Sequence, residues 1–287
     1  MENEQTIKQE SANTAPQAVA TAPKPARPAA APAETKPAEN ELQLRCLAPE
    51  DLRAEMQRLK DEEHFDFLET LTGMDWGEEG LGVVYTLWST TKNKRVSLKT
   101  ATTDRESPFL PTVSDLWDIA NIYEREVFDF FGIKFLGHPD MRRIFLREDW
   151  TGYPMRKDDK PEEENPLRMD NEPLADVTTQ YNRQPDGSIT TQENTIFTED
   201  DYVVNIGPQH PSTHGVLHFR VALEGERIRK IDPILGYIHR GIEKLNESLT
   251  YPQALALTER LDYLGAMQNR HALCMCIEKA AGIEVSE

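Results

Sequence analysis

A chain of 287 residues is long enough for about two domains. Its 32 basic residues face 50 acidic ones, a formal charge of −18, which excludes the cationic face that sequence-independent nucleic-acid binding needs and argues against attachment to anionic lipid. No apolar run approaches the ~18 residues of a membrane-spanning helix. The start Met1-Glu2-Asn3-Glu4-Gln5 lacks the basic and apolar regions of a signal peptide, so a cytoplasmic chain is expected.

Residues 1–40 are rich in Ala, Pro, Thr and Lys and hold too little apolar surface to offset chain entropy, so they read as a disordered tail. From about Glu41 the pattern turns globular. Leu52, Met56 and Leu59 share one helix face. Val83, Tyr85 and Leu87 then alternate with Val84, Thr86 and Trp88. A Lys92-Asn93-Lys94 turn leads into the alternating run Arg95 to Lys99, a hairpin. Ser114-Asp115 offers an N-cap to a helix running through about Phe131, with Trp117, Ala120, Val127 and Phe131 as its buried stripe and Gly132 as its stop.

Residues 158–200 show no apolar periodicity and carry Glu162-Glu163-Glu164, so they read as an acidic linker. A second module opens with Tyr202 to Ile206 and a bent loop, Gly207 to Gly215. The next strand sets Leu217, Phe219, Val221 and Leu223 on one face and His218, Arg220 and Ala222 on the other. Arg227 to Ile231 completes a small meander. A helix is expected around Gly241 to Asn246, and a longer one from about Tyr251 to Ala281. The expected fold is α+β: a small α/β-sandwich first domain over 41–157, the linker, then over 201–287 a short antiparallel sheet leading into a helical domain that reads as cut short.

The cysteines, Cys46, Cys274 and Cys276, give neither a disulfide framework nor a four-thiolate site for zinc or an iron–sulfur cluster. Cys274 and Cys276 sit about 200° apart on a helix and are expected to be small core residues.

Two constellations carry chemistry. The first is Glu124-Arg125-Glu126-Val127-Phe128-Asp129-Phe130-Phe131-Gly132, followed by Gly137-His138-Pro139-Asp140-Met141-Arg142-Arg143. On spacing alone it reads as a charged helix surface answered by the Arg142-Arg143 pair. The second is the loop carrying His210 and His214, where glycines and prolines bend the backbone so that a ligand can approach closely. Chemistry alone leaves three readings of it: a structural turn, a metal pair, or a ligand-binding or acid–base histidine.

The first string, with Asp149-Trp150-Thr151-Gly152-Tyr153-Pro154-Met155-Arg156-Lys157-Asp158, resembles the 30-kilodalton subunit family of respiratory complex I, the NADH–quinone oxidoreductase. That family implies a cofactor-free subunit bracing its neighbours in the peripheral arm, with Glu124, Arg125, Glu126, His138, Arg142 and Arg143 at the subunit interface. Gly207-Pro208-Gln209-His210-Pro211, Gly236-Tyr237-Ile238-His239-Arg240-Gly241-Ile242-Glu243-Lys244 and Glu259-Arg260-Leu261-Asp262-Tyr263-Leu264 resemble the amino-terminal part of the 49-kilodalton subunit family. Both in one chain are similar to the fused C/D subunits of some bacterial complexes.

The resemblance implies that His214 and Tyr263 hydrogen-bond a quinone headgroup, and that Arg240 lies close to the terminal iron–sulfur cluster held by a neighbouring subunit. It implies that this chain binds no metal or cofactor itself, that FMN and the clusters sit in partner subunits, and that an Asp partnering His214 comes from beyond Glu287. The expected assembly is a proton-translocating oxidoreductase at the cytoplasmic side of the inner (plasma) membrane, which this chain touches only through other subunits. Two alternatives are a non-catalytic scaffold of that complex and a subunit of a related membrane-bound hydrogenase-type complex. The hydrogenases need a Cys-x-x-Cys pair near the Arg260 to Gly265 segment, which has no cysteine.

Overall fold

A computed structural model of the chain describes residues 44–159, 174–210 and 215–285. The 1–40 segment read as a tail lies outside the described residues, as do Glu162-Glu163-Glu164 and His214.

The architecture is α+β. Strand β1 (Leu44–Leu47) precedes helix α1 (Pro49–Asp61), whose Pro49 occupies the first helical turn, where a missing N–H costs nothing. Leu52, Met56 and Leu59 are fully buried on one face of α1, as their spacing predicts. β2 (Phe67–Asp75), β3 (Leu81–Ser89) and β4 (Lys94–Thr102) form an antiparallel meander, and β1 joins it parallel to β4, giving the order β1-β4-β3-β2. The hairpin turns where expected, with Ser89 paired to Lys94. Leu81, Val83, Tyr85 and Leu87 of β3 are wholly buried, because period-two alternation puts them all on the face that receives the helices.

β5 (Phe109–Pro111), α2 (Ala120–Phe131) and β6 (Lys134–Leu136) follow. The helix starts later than the Ser114-Asp115 cap predicts. Asp115 is drawn off into an ion pair with Arg53, and the Ser114 hydroxyl lies 2.8 Å from that of Thr112, so neither side chain is free to cap. Gly132 does end the helix, in the left-handed conformation at φ 72°. A Cβ there would stand 2.6 Å from the Tyr153 ring, so the position excludes a side chain on both counts.

The segment read as a linker contains structure. β7 (Val177–Arg183) and β8 (Ile189–Thr195) form a hairpin around Pro185-Asp186-Gly187-Ser188, and β7 runs parallel to β6 in the sheet β5-β6-β7-β8. These strands carry mainly Thr, Gln, Asn and Glu, with β7 largely half-buried and β8 largely exposed, so no apolar alternation betrays them. Their turn residues are the one local signal they leave in the sequence.

β9 (Tyr202–Gln209), β10 (Leu217–Glu224) and β11 (Arg227–Pro233) make the expected antiparallel meander. Three helices follow: α3 (Ile242–Glu247), α4 (Tyr251–Thr258), opened by a Thr250–Gln253 capping box, and α5 (Ala266–Ala281). The single long helix expected over Tyr251 to Ala281 is thus two, broken across Glu259 to Gly265. The Asp262 carboxylate accepts the Leu264 N–H at 3.1 Å, an Asx-type turn that competes with helical bonding.

Candidate functional site

The meander places polar and apolar faces in an unusual way. On β10 the buried residues are His218, Arg220 and Ala222, together with Val221. The register aligns Ile206, Phe219 and Pro233 in one row and Val204, Val221 and Ile231 in the next. This apolar face is largely open, with Ile206, Ile228 and Ile231 exposed. The polar face is the one that packs inward, and Arg220 explains why. Its guanidinium donates to Asp232 at 2.7 and 3.0 Å and to Asp176 at 2.7 Å.

Asp232 also accepts from Arg142 at 3.0 Å, and Arg142 is held by Asp140 at 2.6 Å. Arg125 completes the group, 3.6 Å from Asp140 and donating to the Arg142 and Arg143 carbonyls. Burial works against the Asp140 charge, but Arg142 and Arg125 hold its carboxyl below the usual range. Three arginines and three aspartates therefore lock the loop after β6 onto β10 and β11. Beside them, Asp129 of α2 pairs with Arg143 at 2.9 Å and accepts the N–H groups of Ile144, Phe145 and Leu146.

Glu124 and His138, expected at a subunit interface, lie wholly inside the chain. Glu124 accepts the Val113 N–H at 2.7 Å and the Thr112 hydroxyl at 2.5 Å. Burial pushes its carboxyl up to about 8. The His138 ring contacts the Asn121 carbonyl through Nε2 at 3.1 Å, while Nδ1 accepts the Asp140 N–H at 3.0 Å. A ring with one donor and one acceptor duty is neutral, in keeping with burial, which lowers its pKa to about 4. Arg125, Arg142 and Arg143 likewise turn their guanidiniums to this chain's own backbone and carboxylates. Glu126 alone of the six is half-buried without an ion pair among the described residues. The exposed charged surface expected here is thus mostly an interior network, because long-range partners absorb each charge.

The second constellation is only partly described. β9 ends in the loop's first residues. Gly207 has φ 96°, and a Cβ on it would lie 2.1 Å from the Leu217 carbonyl oxygen, so the close strand crossing requires glycine. His210 is exposed, and His214 lies outside the described residues. Tyr263 falls in the break between α4 and α5 and is 63% exposed. Arg240 is exposed and makes no ion pair with Glu243. The neighbouring His239 stacks between modules, its ring centroid 4.9 Å from that of Phe130 and 4.8 Å from that of Phe145. Sequence reasoning missed Arg220, Asp232 and His239. A charged residue alternating with apolar ones along β10 was the available signal.

Cys274 is part-exposed and Cys276 exposed, against the expectation of core residues, since the described residues enclose neither of these two opposite faces of α5. Among the described residues, no group of three His, Cys, Asp or Glu could hold a metal, and no helix is long and apolar enough to cross a membrane.

Comparison with known proteins gives consistent results. Residues 46–165 match the family described as "Respiratory-chain NADH dehydrogenase, 30 Kd subunit". The chain is 63% identical over 255 residues to the NADH-quinone oxidoreductase C/D subunit of Bacteroides thetaiotaomicron, covering 85% of this chain and 48% of that protein. The corresponding C/D protein of Phocaeicola vulgatus is 63% identical, covering 83% and 46%. One from Aquifex aeolicus is 36% identical, covering 82% and 42%. The chain spans about half the length of these curated relatives.

Proposed function

We propose that the chain is a subunit of the NADH-quinone oxidoreductase C/D type, serving in the peripheral arm of such a complex and helping electrons pass from a neighbouring subunit's terminal iron–sulfur cluster to quinone. The observation that carries the reading is 63% identity across 85% of the chain. Association with the membrane is peripheral and made through other subunits, on the cytoplasmic side; the lack of a crossing helix among the described residues is compatible with this.

In this reading His214 and Tyr263 hold the quinone headgroup. Two-electron reduction leaves two basic oxygens that need two protons, and a phenol and an imidazole can each donate one. The position of Tyr263 in the break between α4 and α5, where it is 63% exposed, is compatible with this role. Arg240, exposed and not paired with Glu243, can place a fixed positive charge beside a partner's cluster, favouring its reduced form. In the same reading NADH and FMN chemistry belongs to other subunits, and this chain holds no metal or flavin of its own.

The buried Arg–Asp network favours a bracing role for the first module, which is the scaffold reading applied to that part. The test uses the whole subunit in its assembled complex. His214→Ala and Tyr263→Phe should each lower NADH–quinone turnover at least about tenfold while NADH oxidation by ferricyanide, which bypasses quinone, persists. Unchanged quinone turnover in both assembled variants would leave the scaffold reading in its place.

A further inference from the structure

A cleft of about 280 Å³ opens between the end of β2, helix α2, the Met155 to Lys157 segment and helix α3. It lies where the first module meets the second, apart from Tyr263 and from the arginine–aspartate network. Met74, Val127, Phe130, Phe131 and Met155 line it with apolar surface. Glu126 enters from α2, and Glu243 and Glu247 from α3.

The charges in the cleft do not balance. Asp75 is committed to Arg105 at 2.8 Å. Lys244 donates its Nζ to the Arg156 carbonyl at 2.9 Å and stands 3.9 Å from Glu247. Glu126 and Glu243 have no ion-pair partner among the described residues, Lys157 included, although both line one half-enclosed space. Burial, and then repulsion from Glu243, push the Glu126 carboxyl up to about 7. Two carboxylates lining one apolar-walled cleft destabilise each other unless one takes up a proton or a cation comes between them.

We propose that this cleft receives a lysine side chain from a neighbouring polypeptide of the assembled complex, its methylene stem on Met74, Phe130 and Met155 and its ammonium between Glu126 and Glu243. Apolar walls with a carboxylate rim match an amphipathic side chain, whose stem buries well while its head stays polar. Two carboxylates converging from different helices suit a compact ammonium with three donors. A planar guanidinium instead pairs best with a single carboxylate in a fork. The occupant would thereby pin α2 to α3 and fix the seam between the modules.

The inference rests on the chain being a subunit of a larger complex, and the experiment separates the two. The assembled complex carrying the full subunit is treated with a water-soluble carbodiimide, which joins a carboxylate to a contacting amine without a spacer, and linked peptides are read by mass spectrometry. The expected product joins Glu126 or Glu243 to a lysine of another chain. It should fall at least about tenfold in the Glu126→Gln, Glu243→Gln double variant while carbodiimide links elsewhere persist. Coupling only to lysines of this same subunit, Lys157 and Lys244 included, or no coupling at either glutamate in an intact complex, would overturn the proposal. Failure of the chain to co-purify with any NADH-oxidising assembly would overturn the subunit reading beneath it.

Discussion

Arg142 and Asp232 stand 90 residues apart in sequence and 3.0 Å apart in space, with both side chains about nine-tenths buried. Their pairing closes a chain of ion pairs from Asp140 through Arg142, Asp232 and Arg220 to Asp176. This chain of charges ties the loop after β6 to the β9–β10–β11 meander. Removing one member leaves a buried charge without its partner, which costs far more than an exposed pair is worth.

Arg142→Ala and Asp232→Ala are therefore each expected to destabilise the folded chain by about 3–5 kcal/mol. Asp232 serves two arginines and Arg142 two aspartates, so the two losses should be similar in size. The double variant should cost less than the sum, since the two residues share one network. Denaturant titration of the parent and the three variants measures the coupling.

The neutral His138 ring gives the fold an acid-sensitive point. Its folded pKa, lowered to about 4, lies below the 6.5 of an unfolded histidine. Protons therefore bind the unfolded chain more readily. Stability is fully present above pH 6.5 and is lost as pH falls toward 4, by about 3 kcal/mol in all. His138→Gln should flatten this part of the profile, as read by thermal unfolding between about pH 4 and pH 7.

Glu124 works in the opposite direction. Its folded pKa, raised to about 8, lies above the 4.5 of a free glutamate. Its contribution is fully present below pH 4.5 and is lost as pH rises toward 8, because ionisation is easier in the unfolded chain. Glu124→Gln keeps an acceptor for the Val113 N–H and removes the ionisation. The variant should lose less stability than the parent between about pH 5 and pH 8 in the same unfolding series.

Gly132→Ala should cost at least about 1 kcal/mol, since φ 72° disfavours any Cβ and this one would press on Tyr153 and Arg156. The measurement is the unfolding midpoint, with Gly187→Ala as a control. That turn position also has positive φ, but open space surrounds it, so only the backbone contribution should remain.

The meander's two faces should respond differently to substitution. Ile228→Thr, on the open apolar face, should change stability by less than about 0.5 kcal/mol. Ala222→Leu, on the buried polar face, should cost about 1–3 kcal/mol through overpacking. Equal effects would mean that the two faces do not differ in packing, and reversed effects that they are assigned the wrong way round.

Much of this architecture is legible in the residues themselves. The α1 stripe, the β3–β4 hairpin, the Gly132 stop and the three-stranded meander follow from local rules: helical spacing, strand alternation, and glycine where φ must be positive. The family motifs are legible for a different reason, since they are strings of particular residues and need no geometry. β7 and β8 are not, because both their faces are polar and their pairing with β6 is a long-range event. The break at Tyr263 escapes a local reading because helical periodicity carries across it.

Residue order alone is enough to say where most helices and strands form, where the first core lies, and which family the chain resembles. Those properties depend on neighbours within a few residues or on residue identity. What the charges do is settled by contacts between distant segments. Glu124, Arg125, His138 and Arg142 look like a solvated helix and turn when taken along the chain, and become interior when Thr112, Asn121, Asp140 and Asp232 close around them. Burial raises or lowers a group's charge preference only through the full set of atoms around it. No local pattern encodes that set, which is why the polar face of β10 can be read from its alternation but not the direction in which it turns.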